Sequence, residues 1–311
     1  MRVIRNQLVR FTELGILIKS YAKATHLVFR FGIRRTIRFA FDSIKQQIEI
    51  QFVITPNRDE LMGVKGDATW ELMKRGAISE PHFKELLRAI RHQETIGIAL
   101  DLGANHGSHS LEMIRTLPSL KIFSFEANPI IFSLLNFNCK NETNIRTHPF
   151  AVGDTTGELI SMEAIDTRSR INSGTYGVSS KNFPINQCIT LKIDDYPLEG
   201  LDFVKMDVQG SELKALIGMR NTLEKFMPII FLEIEECHLL KNGASSVEVI
   251  RFIHALGYQI FRIENDYPVD HIALPTSKKS LLQEINLNLR EIPHGFKKLV
   301  FDNDKYYSHF N

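Results

Sequence analysis

The chain of 311 residues is long enough for one large domain with an extension, or for two domains, and its 43% hydrophobic and 24% charged residues are ordinary for a globular protein. Three cysteines far apart argue against a disulfide framework and against a zinc cluster, and no apolar run approaches the roughly 20 residues that span a bilayer. Residues 1–50 hold ten Lys and Arg against three acids, so this segment carries +7 and the rest of the chain −5.

Residues 1–50 are predicted to form a basic helical extension. Apolar residues recur through the segment with Lys and Arg interleaved, which is typical of an amphipathic helix. Such a helix can pack on the main domain as a lid or support, or it can lie on anionic lipid. No aromatic-basic alternation of the single-strand-binding kind stands out, so no nucleic-acid partner is expected. The expected location is cytoplasmic, with contact to a membrane surface as a further hypothesis.

Residues 51–95 are expected to connect this extension to a main domain at residues 96–311. The segment 80–93 carries apolar residues at helical spacing, namely Phe83, Leu86, Leu87 and Ile90. Pro81 is suited to the first turn of a helix. A helix is therefore predicted to lead into the main domain.

The main domain alternates strand and helix patterns. Strands are predicted at residues 96–102, 121–127, 145–152, 201–208, 228–235 and 258–264, and helices at 108–117, 130–141, 211–226 and 246–257. Several of the strands are nearly continuous apolar runs, as expected when helices cover both faces of a parallel sheet. The pattern predicts a Rossmann-like, doubly wound α/β fold with a mostly parallel sheet. Residues 155–195 interrupt it and are predicted to form a β-hairpin insertion with a mobile Gly/Ser-rich loop.

The turn after the first of these strands, "DLGANHGS", is the strongest candidate for a ligand site. In open α/β sheets, ligands bind beyond the carboxyl ends of the strands, near the point where the strand order reverses. Gly103 and Gly107 let the backbone bend tightly, and Asn105 is among the few other residues that tolerate positive φ. Asp101 precedes the glycines, and Ser108 begins a helix whose free N–H groups face the ligand.

The acids around this turn indicate the ligand. The dinucleotide fingerprint needs three glycines spaced G-x-G-x-x-G, which this turn lacks. Asp101 would repel a pyrophosphate but attract an ammonium group, such as that of S-adenosylmethionine, directly or through water. Glu126 ends the next strand, where a carboxylate can accept hydrogen bonds from both ribose hydroxyls. These features favour S-adenosylmethionine over NAD or ATP, with a glycine turn that only packs its helix as the alternative.

Four motifs in order resemble the FkbM-type S-adenosylmethionine-dependent methyltransferases. They are "ALDLGANHGSHS", "FSFEANP" at residues 123–129, "HPFAVGD" at residues 148–154 and "VKMDVQGSELKALIG" at residues 204–218. The resemblance covers roughly residues 60–265 and includes the lead-in "WELMKRGAISEPHF" at residues 70–83. It implies a class I methyltransferase fold with S-adenosylmethionine as the cofactor.

The resemblance also implies positions for the cofactor. Four residues of the turn would line its methionine end, namely Asp101, Gly103, Asn105 and Gly107. Glu126 would hold the ribose, with Ala127 and Asn128 beside it. Ala151 and Val152, at the end of the third predicted strand, would lie near the adenine, although a strand end of this kind is also ordinary core.

One position departs from the family. After the fourth strand the family usually has Asp-Val-Glu-Gly, whereas this chain has Asp207, Val208, Gln209 and Gly210. Gln209 keeps hydrogen-bonding capacity and loses the charge. A role for that position as a base or metal ligand would be lost here, whereas an orienting role would be retained.

Three residues near the expected methyl group are candidates for catalysis. Asp207 follows the fourth strand, and Lys205 points to the same side because side chains alternate along a strand. A carboxylate held near a lysine can act as a general base or orient the acceptor, although a structural ion pair is the alternative. Glu233 ends the fifth strand on the same edge, where it can accept hydrogen bonds from acceptor hydroxyls. No metal site is expected.

The sequence is thus interpreted as an O-methyltransferase that acts on a hydroxyl of a sugar, glycolipid or small natural product. The methyl group would transfer by in-line displacement, so the protein must position the acceptor and manage its proton. The alternative is a catalytically silent methyltransferase-fold binding module, for which Gln209 is the main support.

Overall fold

The computed structural model describes residues 48–55, 59–76, 79–93, 97–163, 177, 186–264 and 269–295. The predicted helical extension lies outside these ranges except for its last three residues, and so does nearly all of the Gly/Ser-rich loop. Across the part of the chain described, helices are too short or too polar to cross a membrane.

Thirteen strands lie within the described ranges: β1 Ile50–Ile54, β2 Glu60–Val64, β3 Ile98–Leu102, β4 Lys121–Phe125, β5 Ile145–His148, β6 Phe150–Val152, β7 Leu159–Ser161, β8 Gln187–Leu191, β9 Phe203–Met206, β10 Ile229–Glu233, β11 Tyr258–Ile263, β12 Asp270–Pro275 and β13 Leu289–Ile292. The helices described are α1 Ala68–Lys74, α2 Pro81–Gln93, α3 Ser108–Thr116, α4 Pro129–Asn138, α5 Glu212–Ile217, α6 Arg220–Phe226, α7 Glu236–Lys241 and α8 Ser246–Ala255. Two 3₁₀ segments, Ile193–Asp195 and Thr276–Gln283, complete the described elements.

The main sheet has eight strands in the order β13-β11-β12-β10-β9-β3-β4-β5. The strands from β10 to β5 are parallel, and β12 runs antiparallel to both β10 and β11. The chain extends the sheet from β3 towards β5 and then returns to add β9 and β10 on the other side. The strand order therefore reverses between β3 and β9, which confirms the predicted Rossmann-like α/β fold.

Helices cover both faces of this sheet because successive strand residues point in opposite directions. One buried layer includes Ala99, Phe203 and Phe231, and the opposite layer includes Leu100, Val204 and Ile230. The four apolar residues predicted on α2 are all fully buried in the first layer. Helices α5 and α8 pack on the second layer. Burying a side chain of this size stabilises the fold by about 2 kcal/mol.

The third predicted strand is divided in the structure. Residues Ile145–His148 join the main sheet, whereas Phe150–Val152 pairs with β8 in a separate sheet of order β6-β8-β7. Pro149 lies between the two because it has no N–H to donate to a ladder and constrains the residue before it. Ala151 and Val152 therefore belong to this second sheet, not to the end of a main-sheet strand. Strands β7 and β8 form the predicted antiparallel pair.

The predicted helix 211–226 is also divided. Helix α5 ends before Gly218, and α6 begins at Arg220. A Cβ on Gly218 would lie 1.8 Å from the carbonyl oxygen of Gly153, so the backbone approaches the second sheet too closely for a larger residue. Strands β1, β2, β12 and β13 and helices α1 and α7 were not assigned from the sequence.

The hairpin β1–β2 is fastened to α4 through the side chain of Asn138. Its Oδ1 accepts from the backbone N of Met62 at 2.7 Å, and its Nδ2 donates to the carbonyl oxygens of Met62 and His106 at 2.9 and 2.8 Å. Asn138 is buried, so these backbone groups have little access to water. One amide thus ties the hairpin to the turn that follows β3.

Replacing Asn138 by Leu should lower the free energy of unfolding by about 3 kcal/mol, because it leaves three buried backbone groups without their partner. Urea denaturation followed by circular dichroism measures this change. Asn144→Ala is the matched control, since among the described residues its side chain bonds only to the carbonyl oxygen of Pro118 at the surface, and the change should cost under about 0.5 kcal/mol. Equal losses in the two variants would contradict the role given to Asn138.

Candidate functional site

The turn after β3 lies at the carboxyl edge of the sheet, beside the point where the strand order reverses. Its φ angles are +75° at Gly103, +50° at Asn105 and +91° at Gly107, so Asn105 adopts the positive φ that its side chain tolerates and both glycines are left-handed as well. The backbone N–H groups of Gly103 and Ala104 both donate to the carbonyl oxygen of Phe125, at 3.0 and 2.9 Å. The turn is therefore bound to the end of β4 on one side.

On its other side, the turn lies against the end of β9. A Cβ on Gly103 would fall 1.8 Å from the carbonyl oxygen of Asp207, which no side chain could tolerate. The Nζ of Lys205 donates to the carbonyl oxygen of Gly103 at 2.8 Å. Gly103 is thus required both for its positive φ and for the close approach of two strand ends.

Lys205 is buried between two carboxylates. Its Nζ lies 3.5 Å from Oδ1 of Asp101 and 3.8 Å from Oδ2 of Asp207. Burial lowers the pKa of Lys205, but the negative charges of Asp101 and Asp207 outweigh burial and raise it overall. The other oxygen of Asp101 accepts a hydrogen bond from Ser110. The predicted pairing of Lys205 with Asp207 is present, and Asp101 completes it.

Glu126 lies just beyond β4 and organises the next turn. Its Oε2 accepts from the backbone N of Asn105 at 2.9 Å and its Oε1 from the backbone N of Asn128 at 2.8 Å. Burial raises the pKa of Glu126 to about 7, although these two backbone bonds oppose the increase. The side chain of Asn128 in turn caps the start of α4, accepting from the backbone N of Ile130 and Ile131. The carboxylate is thereby held between the two turns.

A first cavity of about 240 Å³ opens between these turns and the second sheet. Seven of the ten residues predicted to bind the cofactor line it, namely Gly103, Asn105, Glu126, Ala127, Asn128, Ala151 and Val152. Its lining includes the carboxylates of Glu126 and Asp207 and the apolar side chains of Phe150, Ile160 and Met162. The cavity can thus receive a ligand with both a polar and an apolar part.

The other three predicted residues lie behind this wall. Asp101 is fully buried, where it faces Lys205 and Ser110. Gly107 faces α4, because a Cβ there would meet the side chains of Leu135 and Cys139 at 3.0 and 3.1 Å. Ser108 is buried at the start of α3. These residues shape the turn, and their direct contact with a ligand stays a prediction.

A second cavity of about 830 Å³ adjoins the first, and Asp207 lines both. Lys205 and Glu233, the other predicted catalytic residues, line the second cavity, so the structure brings all three together. Sequence reasoning did not assign a role to three further lining groups, namely Glu80, His82 and Asp270. Glu80 and His82 fall inside the lead-in motif at residues 70–83, so the motif could have indicated them as site residues. Asp270 begins β12, a strand that was not predicted.

Gln209 joins two of the carboxylates. Its Nε2 donates to Oδ1 of Asp207 and, at 2.9 Å, to Oε2 of Glu233. The backbone of Gln209 is left-handed, with φ +52°. Burial, followed by the charge of Asp207, raises the pKa of Glu233 well above its usual range. The amide therefore bridges an ionisable pair at the border of the two cavities.

Two imidazole–carboxylate pairs face the second cavity. His82 Nε2 lies 2.7 Å from Oδ2 of Asp270, and His109 Nε2 lies 2.8 Å from Oε2 of Glu80. Burial lowers the pKa of His82, but its hydrogen bond to Asp270 and the charge of Asp270 outweigh burial and raise it. The His82–Asp270 pair can hold, donate or accept a proton within this cavity.

Among the residues whose positions are described, Glu235, Cys237 and His238 bring three potential metal-ligating atoms within 4.8 Å of one another. The Cys237 thiol donates to Oε1 of Glu235 at 3.1 Å, and Nδ1 of His238 lies 3.4 Å from Oε2 of Glu235.

Comparison with known proteins identifies a family. The family model described as "Methyltransferase FkbM domain" matches residues 101–260, just over half of the chain. A curated relative, the 2-O-methyltransferase NoeI of Sinorhizobium fredii (strain NBRC 101917 / NGR234), is 26% identical over 144 residues, which cover 41% of this chain and 59% of the relative. The chain thus matches less than two thirds of that relative's length.

Two solved structures illustrate the structural matches. The methyltransferase FkbM from Methylobacillus flagellatus KT has a TM-score of 0.44 and 17% identity, covering 66% of this chain and 51% of that one. The N-methyltransferase NodS from Bradyrhizobium japonicum WM9 has a TM-score of 0.39 and 9% identity, covering 65% and 98%.

Replacing Gly103 by Ala should lower the free energy of unfolding by about 3 kcal/mol, because the new Cβ would collide with Asp207 and the positive φ is strained for alanine. Thermal and urea unfolding measure the loss. Gly153→Ala is the control, because Gly153 lines the same cavity and a Cβ there has nothing within 4 Å. A Gly103→Ala protein as stable as this control would show that the two strand ends do not approach as described.

Proposed function

Because the chain belongs to the FkbM methyltransferase family, we propose that it transfers the methyl group of S-adenosylmethionine to a hydroxyl group of a sugar-like acceptor. One observation carries this proposal: two cavities of different character meet at Asp207. The first would hold the methyl donor and the second the acceptor, so that the reacting atoms would meet at the shared wall. Holding both reactants in line removes much of the entropic cost of reaction.

The residues of the first cavity are compatible with S-adenosylmethionine. The carboxylate of Glu126 can accept hydrogen bonds from ribose hydroxyls, and the apolar wall at Ala151 and Val152 suits an adenine ring. Asn128 is buried and lines the cavity, and its Nδ2 makes no hydrogen bond to any described residue. An unmet buried donor of this kind supports a polar ligand. S-adenosylmethionine, when bound, supplies an electrophilic methyl group on a positively charged sulfur.

The second cavity supports a neutral, hydroxyl-rich acceptor. Its ionisable lining includes more carboxylates than permanent cations: Glu80, Glu85, Asp207, Glu233, Glu264 and Asp270 against Arg88 and Lys205. Carboxylates accept hydrogen bonds from hydroxyl groups but repel phosphate and carboxylate groups. Asp207 and Glu233 would therefore orient the acceptor hydroxyls, whereas an anionic group would be excluded from this cavity. The printed name of the relative, a 2-O-methyltransferase, supports the same acceptor chemistry.

The experiment that tests this function incubates the protein with methyl-labelled S-adenosylmethionine and a panel of neutral methyl glycosides. We expect label in the glycoside fraction, and Asp207→Asn should lower turnover by about 10²-fold because its carboxylate would orient the reacting hydroxyl. Calorimetry with S-adenosylhomocysteine should show similar affinity in both proteins. Failure of the wild type to bind S-adenosylmethionine or S-adenosylhomocysteine would instead favour a silent binding module.

Cofactor affinity should depend on pH through Glu126. An acid with a pKa of about 7 is mostly protonated at pH 6 and mostly ionised at pH 8, and the ionised carboxylate is the better acceptor for two ribose hydroxyls. Binding of S-adenosylhomocysteine should therefore be about tenfold weaker at pH 6 than at pH 8. Calorimetry at intervals between these values measures the dependence. Glu126→Gln should bind more weakly without this dependence, and a dependence that survives the substitution would exclude Glu126 as its source.

A further inference from the structure

His82 and Asp270 form a hydrogen-bonded pair on the acceptor side of the site. His82 is the second residue of α2, and Asp270 is the first residue of β12. Their side chains are 14% and 19% exposed, and both line the second cavity. The ring of His82 also packs against Phe231, with centroids 6.0 Å apart. The imidazole is therefore held in place while it remains accessible from the cavity.

A short series of contacts connects this pair to the border between the cavities. Asp270 lies directly opposite Glu233 in the register of β12 with β10. The amide of Gln209 connects Glu233 to Asp207. Asp207 is the residue that lines both cavities. A hydroxyl oriented by Asp207 and Glu233 would thus lie in the same cavity as His82.

We propose that His82 is the general base that removes the proton from the acceptor hydroxyl, and that Asp270 is the positioning residue that holds its ring; this rests on the proposed function. With the Nε2–H bonded to Asp270, the lone pair of neutral His82 lies on Nδ1, which makes no hydrogen bond within the described ranges. The acceptor oxygen gives its proton to Nδ1. Its electron pair forms the new bond to the methyl carbon, and the electrons of the breaking C–S bond return to sulfur.

Three carboxylate oxygens at the border of the cavities already have partners. Oδ1 of Asp207 accepts from Gln209, and its Oδ2 lies 3.8 Å from the ammonium of Lys205. Oε2 of Glu233 also accepts from Gln209. These oxygens are already engaged in orienting contacts, whereas His82 has one ring nitrogen that is not.

The charges around His82 make it a stronger base than an isolated imidazole. Asp270 and Glu80 both favour its protonated form and together outweigh burial, so its pKa is raised. The cavity has seven other ionisable groups. They lie on α2, on α3, at or just beyond the ends of β9 and β10, and after β11, and they are Glu85, Arg88, His109, Lys205, Asp207, Glu233 and Glu264. A base with this pKa loses its proton, and becomes active, above the ordinary imidazole range of about 6.5.

The pair of His109 with Glu80 supplies a matched comparison. It has the same chemistry, faces the same cavity and has a similar length of 2.8 Å. Glu80 is 47% exposed, so solvent screens this pair more strongly than the pair of Asp270. His109 also lies on α3, outside the register that joins Asp270 to Glu233. His109→Gln therefore removes an imidazole from the cavity without removing the proposed base.

The test measures kcat/KM for transfer to neutral methyl glycosides between pH 5.5 and 9, with S-adenosylmethionine saturating at every pH so that the pH dependence of cofactor binding assigned to Glu126 does not enter. In the wild type we expect kcat/KM to rise with pH and to level off above the raised pKa of His82. His82→Gln should lower kcat/KM at pH 8 by about 10²-fold and remove the rise. Asp270→Asn should move the rise to lower pH, because the imidazolium loses its carboxylate partner. His109→Gln should retain the rise.

Nuclear magnetic resonance of the histidine ring protons gives a readout that is independent of turnover. The resonance lost in His82→Gln should titrate above the ordinary value of about 6.5, and it should titrate lower in Asp270→Asn. Retention of the pH rise in His82→Gln, or its loss in His109→Gln instead, would overturn the assignment while leaving the proposed function intact. A wild type that methylates none of the glycosides would defeat the proposed function, and the base assignment with it.

Discussion

The candidate site depends on one buried ammonium group. Lys205 lies directly opposite Asp101 in the parallel register of β9 with β3, at the place where the strand order reverses. Asp101 is fully buried, and without its cation it would leave an uncompensated charge in the core. Because Lys205 balances Asp101 and also bonds to the carbonyl oxygen of Gly103, charge compensation and the shape of the turn arise from the same side chain.

This arrangement couples the two cavities. Asp207 contacts Lys205 on one side and, through Gln209, Glu233 on the other, so the ionisation of the acceptor side depends on groups that also shape the donor side. The raised pKa of Glu233 follows from burial and from its closeness to Asp207, since two neighbouring carboxylates do not ionise independently. The site therefore holds several carboxylate oxygens that can accept hydrogen bonds. Its net negative charge is limited by the ammonium of Lys205 and by the raised pKa of Glu233.

Sequence patterns within a few residues predicted much of this site. The features that were not predicted depend on contacts between residues far apart in the chain. The positive φ at Asn105 and the pairing of Lys205 with Asp207 follow from turn chemistry and strand alternation, which act over a few residues. The division at Pro149 was missed because strand-forming residues stand on both sides of the proline, and only the missing N–H ends the ladder. Asp270 could not be assigned because its role depends on pairing with Glu233, 37 positions earlier in the chain, through a strand that the sequence pattern did not show.

The side chain of Gln209 helps to explain why Asp207 and Glu233 would orient the acceptor while His82 would take its proton. The resemblance places a glutamate at this position in the family, and a glutamate here would put a third carboxylate beside Asp207 and Glu233. Glutamine instead donates from one nitrogen to both of them, which satisfies their oxygens and avoids the added charge. The same bonds occupy one oxygen of each carboxylate that could otherwise contact the acceptor hydroxyl. Loss of a charged residue at 209 is therefore compatible with catalysis when a separate base, such as His82, stands in the same cavity.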